Sequence, residues 1–248
     1  MLDTIRPSRP TAQELTAALA GEGFATTPLL GPGEVTTLRA CCGAAMTGAA
    51  SGFFTSVLQP PDLRRRAHEA IRAVLVPVLA PLFGEARIVL ASVVARSPGS
   101  DRQDLPLHQD WSFVDEARAR SISVWVPLQD VSSGNGCMQV VPRSHLHDQP
   151  LRAIGSGFRY AGIEDVLRRD HLVDVPLAAG DALVFDHRLI HGSHANASPD
   201  IRMAVGAVLL PRDEPLHLGI GRGQDAVFAD RPDAFLLEAE LAAIARGR

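Results

Sequence analysis

The chain of 248 residues contains no lysine, so all 24 of its basic side chains are arginine. This absence excludes a Schiff-base lysine, a lysine-dependent pyridoxal phosphate site and a Walker-type phosphate loop, since each of them needs an ε-amine. Arginine cannot replace lysine in these roles, because its guanidinium stays protonated and is a poor nucleophile or base. Any anionic ligand must therefore be held by arginine, backbone amides, hydroxyl groups or a metal ion.

Cysteine and long apolar runs are also scarce. The three cysteines, adjacent at Cys41 and Cys42 with Cys137 apart, make a poor disulfide framework and indicate a reducing, cytoplasmic setting. No apolar run approaches the ~18 residues of a membrane span, and the opening residues lack the profile of a signal peptide. A net charge of −4 argues against nucleic acid as a partner. We therefore expect a cytoplasmic protein, monomeric or homodimeric, whose partner is a small molecule and neither nucleic acid nor membrane.

The first third of the chain carries helix signals. A capping box begins at Thr11, Pro32 opens a second helix, and a third helix is predicted over about Asp62–Leu82. The run Arg64–Arg66 on the third helix is interpreted as a solvated face, with an anion patch as the alternative. Residues 1–84 are therefore predicted to be mostly helical.

From residue 87 onwards the pattern changes to short strands separated by turns. Strands are predicted at 87–96, 121–126, 137–141, 171–175, 181–185 and 201–210. Helices followed by many short strands predict a mainly β fold with flanking helices, built on a double-stranded β-helix core of the jelly-roll, cupin-like type. We expect a single domain over 1–248, with the core at 85–212, a lid at about 143–170 and an extension at 213–248. The extension is predicted to hold a loop at Gly219–Gly223 and a helix at Pro232–Arg246.

A metal site is suggested by the segment Leu107-His-Gln-Asp110. In an extended strand, residues i and i+2 project to the same face, so His108 and Asp110 can reach one metal ion together, with Gln109 on the opposite face. One imidazole and one carboxylate are two members of the 2-His-1-carboxylate set that leaves open positions on Fe(II). The pair alone is a weak signal, because the same spacing recurs for structural reasons.

A third ligand must come from elsewhere, and the histidines after the strand at 181–185 are the candidates. His191 is the preferred ligand, whereas His187 and His194 are interpreted as turn caps, surface groups or supports that orient His191. Arg202 lies in an alternating strand and has two interpretations. If it points inward it needs an anion such as a carboxylate co-substrate, and if it points outward it is an ordinary arginine on a sheet surface.

Several motifs, in order and spacing, resemble the phytanoyl-CoA dioxygenase family of Fe(II)/2-oxoglutarate-dependent oxygenases. The resemblance covers nearly the whole chain and is strongest from residue 105 to 211. The motifs that carry it are His108-Gln-Asp110, Trp125 with Pro127-Leu128, Asn135-Gly-Cys137 with Val141-Pro142, His191-Gly-Ser193 and Arg202. The presence of Asp110 distinguishes the chain from halogenating relatives, which have alanine or glycine at that position and bind chloride.

The resemblance implies that His108, Asp110 and His191 are the catalytic metal ligands and hold Fe(II). It implies that 2-oxoglutarate chelates this iron and that its far carboxylate pairs with Arg202, helped by the hydroxyl group of Ser193. With O2 as the other co-substrate, such an enzyme hydroxylates or otherwise oxidises an unactivated C–H bond and releases succinate and CO2.

Four further residues are candidates for contact with the co-substrate or the substrate. Trp125 is interpreted as a flank of the co-substrate, with a core tryptophan as the alternative. Trp111 and Phe113 follow the H-x-D motif and either contact substrate or simply pack. Arg143 replaces the glycine of the family's P-G-S/T-H segment, and it either occupies a turn or reaches the mouth of the pocket. The arginines of residues 143–170 suit an anionic substrate and suit a solvated surface equally well.

Two other functional hypotheses remain open. A cupin-like metalloenzyme that does not use 2-oxoglutarate would take His187 or His194 as a metal ligand and would leave Arg202 dispensable. A non-catalytic jelly roll that binds a small ligand would need none of these groups. The intact H-x-D motif, distal histidine and arginine argue against this last hypothesis.

Overall fold

Helices and strands alternate in the N-terminal third of the chain. The computed structural model describes residues 9–47, 52–98, 104–147, 150–156 and 159–246. Its first elements are α1 (Ala12–Gly21), β1 (Phe24–Pro28), α2 (Pro32–Ala45), β2 (Phe53–Thr55) and α3 (Pro61–Phe83). The prediction of a mostly helical segment omits β1 and β2, which both join the main sheet.

Local sequence explains where these helices begin. The Thr11 hydroxyl accepts a hydrogen bond from the Glu14 N–H at 3.2 Å, and the Glu14 carboxylate accepts one from the Thr11 N–H at 2.8 Å. These two bonds are the predicted capping box. Pro32 and Pro61 open α2 and α3, where no intrahelical donor is needed. Within the described residues, no helix combines the length and apolar character required to cross a bilayer.

The rest of the chain is mainly β structure. Its strands and helices are β3 (Arg87–Arg96), β4 (Leu105–His108), β5 (Ile122–Pro127), β6 (Met138–Val140), α4 (Glu164–Asp170), β7 (Val173–Val175), β8 (Asp181–Asp186), β9 (His191–Ser193), β10 (Arg202–Leu210), β11 (Leu216–Ile220), β12 (Val227–Arg231), α5 (Phe235–Glu238) and α6 (Leu241–Ala245). The predicted strands of the core agree with the observed ones to within two residues at each end.

Two antiparallel sheets share a buried core. The main sheet has six strands in the order β1-β8-β5-β10-β3-β2, and the smaller sheet has four in the order β4-β9-β6-β7. Trp125, Leu183 and Phe185 of the main sheet are buried in one cluster with Met138 and Val140 of the smaller sheet. A double-sheeted β core flanked by helices is the architecture that the sequence predicts.

The helices cover the outer face of the main sheet. α3 buries Ile71, Leu75 and Leu79, spaced four residues apart, in a cluster with Val93 and Val205 of the sheet. Removing each of these side chains from water contributes about 1.5–3 kcal/mol to the free energy of folding. Because α3 protects this face, the opposite face of the main sheet is left to form a cavity with the smaller sheet.

Arg64 corrects one prediction. The sequence predicts a solvated face for Arg64–Arg66, yet the Arg64 side chain is fully buried. Its guanidinium donates to the carbonyls of Leu236 and Ala239 at 2.9 and 2.8 Å. These carbonyls lie in α5 and at its C-cap, where helix geometry provides no internal donors. Arg64 therefore ties the C-terminal extension to α3.

The C-terminal extension differs from its prediction in two further ways. The single helix predicted over Pro232–Arg246 is divided into α5 and α6. The loop predicted at Gly219–Gly223 overlaps β11, which pairs with β12 in a hairpin. A β-carbon at Gly219 would collide with the ring of Phe228, so this glycine serves the packing of the hairpin. Leu216 and Leu218 are buried and His217 between them is not, which is the alternation of a strand. Because of the nearby glycines, the sequence predicts a loop instead.

The predicted boundaries at 85–212 and 213–248, and the movement of a lid at 143–170, stay predictions. Residues 148–149 and 157–158 of the lid range lie outside the described residues. The described part of this range includes α4, which was not predicted.

Candidate active site

His108 and His191 are brought together by strand pairing. They lie opposite each other in the antiparallel pair β4–β9, with ring centroids 4.3 Å apart. The close approach of the two strands depends on Gly192, where a β-carbon would lie 2.7 Å from the Leu105 carbonyl oxygen. The glycine in the His191-Gly-Ser193 motif therefore has a steric role in placing the second histidine.

Backbone carbonyls set the orientation of both imidazoles. The Nδ1 atom of His108 lies 2.8 Å from the Pro106 oxygen, and that of His191 lies 3.0 Å from the Leu189 oxygen. A carbonyl only accepts, so each Nδ1 carries a proton. Burial and the neighbouring His191 lower the pKa of His108 to about 4. His108 is therefore neutral near pH 7, the form that binds a metal ion.

Asp110 completes a set of three possible metal ligands. It lies just beyond the end of β4, and its ligand atoms and those of His108 and His191 are all within 4.8 Å of one another. Burial alone would raise the pKa of Asp110, but three nearby histidines and a hydrogen bond from Ser123 lower it to about 2. The set therefore offers one carboxylate and two imidazoles, the donors of a 2-His-1-carboxylate site.

Ser123 and His187 support the carboxylate of Asp110. The Ser123 hydroxyl donates to Asp110 Oδ2 at 2.7 Å and lies 2.9 Å from His187 Nε2, while His187 Nδ1 donates to the Trp111 carbonyl at 2.9 Å. The sequence suggests His187 as a support that orients His191, but the structure places its ring beside Ser123 and Asp110 instead. The sequence signal for Ser123 is its place in the alternating strand, on the face that points into the cavity.

Replacing Ser123 with alanine should weaken metal binding by roughly tenfold, because groups that orient a metal ligand contribute on this scale. Competition between the protein and a chelator for Co(II) would measure the change. Ser121→Ala is a matched control, since the Ser121 hydroxyl is buried in the same segment and has no hydrogen-bond partner among the described residues. Equal metal affinity in the Ser123 and Ser121 variants would show that the Asp110 contact does not position the ligand.

The three residues lie in a cavity of about 420 Å³ between the two sheets. Its volume falls within the roughly 300–1,000 Å³ of small-molecule sites. The cavity is lined largely by apolar side chains of both sheets, among them Leu90, Val94, Phe113, Trp125, Met138 and Val208. A ligand inside it would contact mainly apolar surface.

Arg202 and Ser193 also line this cavity. The Arg202 side chain is 1% exposed, and its Nε and Nη1 atoms have no hydrogen-bond partner in the described parts of the chain. The Ser193 hydroxyl is buried and lacks a partner there as well. Burial, together with Arg96, lowers the pKa of Arg202 to about 9. A buried guanidinium without an anion is unfavourable, so the site has the donor chemistry of a carboxylate pocket. Trp125 flanks it, with its ring centroid 5.4 Å from Arg202 Cζ.

The predicted substrate-contacting residues separate into two groups. Trp111 and Phe113 both line the cavity, and the Phe113 ring lies 5.4 Å from the ring of His187. Arg143 is not among the described lining residues; its exposed side chain lies 3.6 Å from Glu22 in an ion pair. Arg143 has a left-handed backbone, with a φ of 65°, so it takes the turn position of the family's glycine. The turn interpretation replaces the pocket-mouth interpretation.

The structure adds Gln109 and Tyr160 to the cavity wall. Gln109 was predicted to point away from the ligands, but β4 ends at His108 and the alternation ends with it. The Tyr160 hydroxyl donates to Gln109 Oε1 at 2.7 Å, and Gln109 Nε2 donates to the Arg188 carbonyl. Tyr160 is the single tyrosine of the chain, yet nothing in its local sequence indicates a cavity position.

Arg152, which also lines the cavity, connects the predicted lid range to the loop that follows Asp110. Its Nε donates to the Asp110 carbonyl at 2.6 Å, and its terminal nitrogens form a bidentate pair with Glu116. The side chains of Arg152 and Glu116 are 3% and 7% exposed. The pair fixes the backbone on which Asp110 is presented.

Arg152→Met should destabilise the protein by about 3–5 kcal/mol, because it leaves the Glu116 carboxylate buried without its counter-charge. The double variant with Glu116→Gln should recover part of this loss, since the uncompensated charge is gone. Denaturant unfolding of the single and double variants measures both effects. Arg118→Met provides the control for an exposed arginine. If Arg118→Met lowers the free energy of unfolding as much as Arg152→Met does, the buried pair does not support the loop.

A second group of possible ligands, Cys137, Asp174 and His194, lies outside the cavity. Asp174 Oδ1 is 2.8 Å from His194 Nε2, and Gln139 donates to the same carboxylate oxygen at 2.9 Å. Burial and then the charge of Asp174 raise the pKa of Cys137 to about 11. Because metals bind the thiolate, we interpret the group as a hydrogen-bonded cluster, and His194 as a structural residue.

A model of the phytanoyl-CoA dioxygenase (PhyH) family matches residues 47–204, which is well over half of the chain. The chain belongs to the phytanoyl-CoA dioxygenase family. The matched range contains His108, Asp110, His191 and Arg202. The resemblance inferred from the motifs is thereby confirmed.

Members of the phytanoyl-CoA dioxygenase family match the chain over a limited range. The peroxisomal phytanoyl-CoA dioxygenase of Bos taurus is 32% identical over 106 residues, which are 40% of this chain and 32% of the relative. A probable phytanoyl-CoA dioxygenase of Caenorhabditis elegans is 32% identical over 106 residues, or 40% of this chain and 34% of the relative. The chain thus spans about a third of the length of these relatives.

Solved structures show the fold. SnoK, a non-heme α-ketoglutarate-dependent carbocyclase from nogalamycin biosynthesis, has a TM-score of 0.62 at 23% identity and covers 85% of this chain and 90% of its own. HygX from Streptomyces hygroscopicus, with nickel and 2-oxoglutarate bound, has a TM-score of 0.59 at 20% identity, with coverages of 81% and 87%. These likenesses confirm the predicted jelly-roll fold for this member of the phytanoyl-CoA dioxygenase family.

Proposed function

We propose that the chain is an Fe(II)- and 2-oxoglutarate-dependent oxygenase that hydroxylates, or otherwise oxidises, a C–H bond of a small molecule. One observation carries the proposal. A 2-His-1-carboxylate set shares a cavity with buried guanidinium and hydroxyl donors that have no partner among the described residues. The family of the chain and the nickel and 2-oxoglutarate bound by HygX support the same activity.

The proposed iron ligands are His108, Asp110 and His191. Their chemistry fits Fe(II), because two imidazoles and the ionised carboxylate of Asp110 are the donor types that this ion takes in a 2-His-1-carboxylate site. Bound iron with 2-oxoglutarate supplies the oxidising chemistry, in which O2 is consumed and the keto acid becomes succinate and CO2. The residues of the chain position the reactants and keep water away from them.

The proposed co-substrate pocket is formed by Arg202, Ser193 and Trp125. A carboxylate there would accept hydrogen bonds from the guanidinium and the hydroxyl, and it would compensate a charge that is otherwise buried alone. Trp125 closes one side of the pocket against the guanidinium. The fit of an anion to these donors is the reason for choosing 2-oxoglutarate over a neutral ligand.

The substrate is proposed to lie against Trp111 and Phe113. Both line the cavity next to the metal ligands, and aromatic walls exclude water from the reacting carbon. Ser123 and His187 keep Asp110 oriented while substrate enters. Arg152 holds the loop that carries Asp110 and Trp111.

The metalloenzyme hypothesis without 2-oxoglutarate is disfavoured by the histidines it needs. Both ring nitrogens of His187 have hydrogen-bond partners, in Trp111 and Ser123. His194 pairs with Asp174 and does not line the cavity. The hypothesis also does not explain why a guanidinium is buried without an anion. The hypothesis of a non-catalytic ligand-binding protein does not explain the set of metal ligands.

The melting temperature with Mn(II) and 2-oxoglutarate tests the proposal without a known substrate. At a ligand concentration 100 times its Kd, binding stabilises the fold by about 2.7 kcal/mol, which raises Tm by roughly 5–10 °C for a chain of this size. We expect this rise only when metal and 2-oxoglutarate are both present, and a smaller one with succinate, which lacks the keto group. No rise with 2-oxoglutarate, or the same rise without metal, would refute the proposal.

A further inference from the structure

The charges that line the cavity can be assigned one by one. Among the described lining residues, the charged side chains other than histidine are Asp110, Arg152, Arg159 and Arg202. Asp110 faces the two histidines, Arg152 is neutralised by Glu116, and Arg202 is assigned to the co-substrate. Arg159 is left without a function.

Arg159 is placed to meet a ligand at the mouth. It is exposed to solvent yet lines the cavity, and it forms no ion pair with an acidic residue in the described ranges. Its neighbour Tyr160 donates a hydrogen bond to Gln109, which lies between the possible metal ligands His108 and Asp110. Burial raises the pKa of Tyr160, and the charge of Arg159 acts against this increase, so the guanidinium lies within electrostatic reach of the phenol group.

Large apolar side chains are also exposed along the cavity lining. Phe53 and Leu58 line the cavity and remain 41% and 40% exposed, although large apolar side chains usually avoid water. Val57 and Trp111 continue the apolar surface inward. A ligand that crosses this surface gains most by covering hydrocarbon.

We propose that the substrate is an apolar molecule with a single carboxylate, and that Arg159 binds this carboxylate at the mouth. The proposal rests on the oxygenase function proposed above and names its substrate class. A carboxylate paired with Arg159 leaves the apolar part of the molecule to extend past Phe53 and Leu58 towards the metal ligands. Arg159 is then a specificity-determining residue, because the other cationic groups of the described lining already have partners or an assigned ligand.

The same charges disfavour two other substrate classes. A polycation would find only Asp110 as an acidic group among the described lining residues, and this carboxylate is assigned to the metal. A coenzyme A thioester carries several phosphate charges, for which the described lining offers only Arg159. We therefore expect a free acid in preference to its coenzyme A thioester.

Intrinsic fluorescence provides a direct binding assay, because both tryptophans of the chain line the cavity. The probes are decanoate, 1-decanol, decylamine and decanoyl-coenzyme A, each below its micellar concentration. They are added to the protein loaded anaerobically with Fe(II) and 2-oxoglutarate, and separately to the metal-free protein. We expect decanoate to bind roughly fivefold to tenfold more tightly than decanol, and decylamine and the thioester to bind more weakly than decanoate.

Variants at Arg159 decide whether this residue causes the preference. Arg159→Gln should abolish the difference between decanoate and decanol, and Arg159→Glu should favour decylamine. Arg169→Gln is the matched control, since Arg169 is exposed in the same range but does not line the cavity. The proposal would be overturned if decanoate and decanol bound equally well, or if the preference for decanoate survived Arg159→Gln. It would also be overturned if the thioester bound more tightly than decanoate, or if no probe bound. The metal-free arm requires neither iron nor turnover, so its result is independent of the test of the oxygenase function.

Discussion

Replacing Asp110 with alanine should abolish iron-dependent oxidation and lower metal affinity by about 100-fold or more. Loss of a group that merely orients a ligand costs about 10–100-fold, and Asp110 is itself proposed as a ligand. Its carboxylate is the one anionic member of the set, so the variant leaves two imidazoles and no negative charge to hold a divalent cation. Competition against a chelator for Fe(II) or Co(II) measures the loss directly.

Two controls separate ligation from folding in the Asp110 experiment. Asp62→Ala removes a carboxylate of the same kind that is 83% exposed on α3, and it should leave metal affinity unchanged. Far-ultraviolet circular dichroism should be the same for both variants, because Asp110 lies beyond the end of a strand and forms no part of the hydrophobic core. Metal affinity retained in Asp110→Ala would mean that the carboxylate ligand is wrongly assigned.

Arg202→Met should raise the Kd for 2-oxoglutarate by roughly 100- to 1,000-fold and leave metal affinity nearly unchanged. Truncating one partner of a buried, hydrogen-bonded charge pair costs about 3–4 kcal/mol, which corresponds to a change of this size. The same variant should not destabilise the metal-free protein, since the guanidinium is buried there without an anion in the described structure. Titration of 2-oxoglutarate into the Mn(II)-loaded protein, followed by calorimetry, measures the change in Kd.

The controls for Arg202 distinguish charge from geometry. Arg202→Lys keeps the positive charge but loses the planar fork that binds a carboxylate through two nitrogens, so we expect an intermediate Kd. Arg169→Met, at an exposed position, should behave as the parent protein. An unchanged Kd in Arg202→Met would remove this arginine from the co-substrate pocket.

The candidate site follows from sequence where chemistry and spacing are local. His108 and Asp110 lie two residues apart, and an arginine that points into a β core needs an anion or another acceptor for its guanidinium. The pairing of His108 with His191 depends on the register between β4 and β9, which no local pattern specifies. The motif resemblance supplied that long-range information, and the family match confirms the resemblance.

The residues that sequence reasoning missed act through distant contacts. Ser123, Arg152 and Tyr160 become part of the site because the fold brings the lid range and β5 against the segment after His108. The same limit explains Arg64, whose partners in the C-terminal extension, Leu236 and Ala239, lie more than 170 residues along the chain. Strand alternation gives the face on which Ser123 lies but not its partner, and the contacts of Arg152, Tyr160 and Arg64 have no local pattern, so these roles appear only in three dimensions.

Anaerobic addition of Fe(II) and then 2-oxoglutarate tests the central claim most directly. Because the keto acid would chelate the iron held by His108, Asp110 and His191, we expect a weak visible charge-transfer band that requires both additions. The band should saturate at one equivalent of iron per chain, be absent in Asp110→Ala, and need far more 2-oxoglutarate in Arg202→Met. Folded protein that gives no band at saturating iron and 2-oxoglutarate would contradict the account.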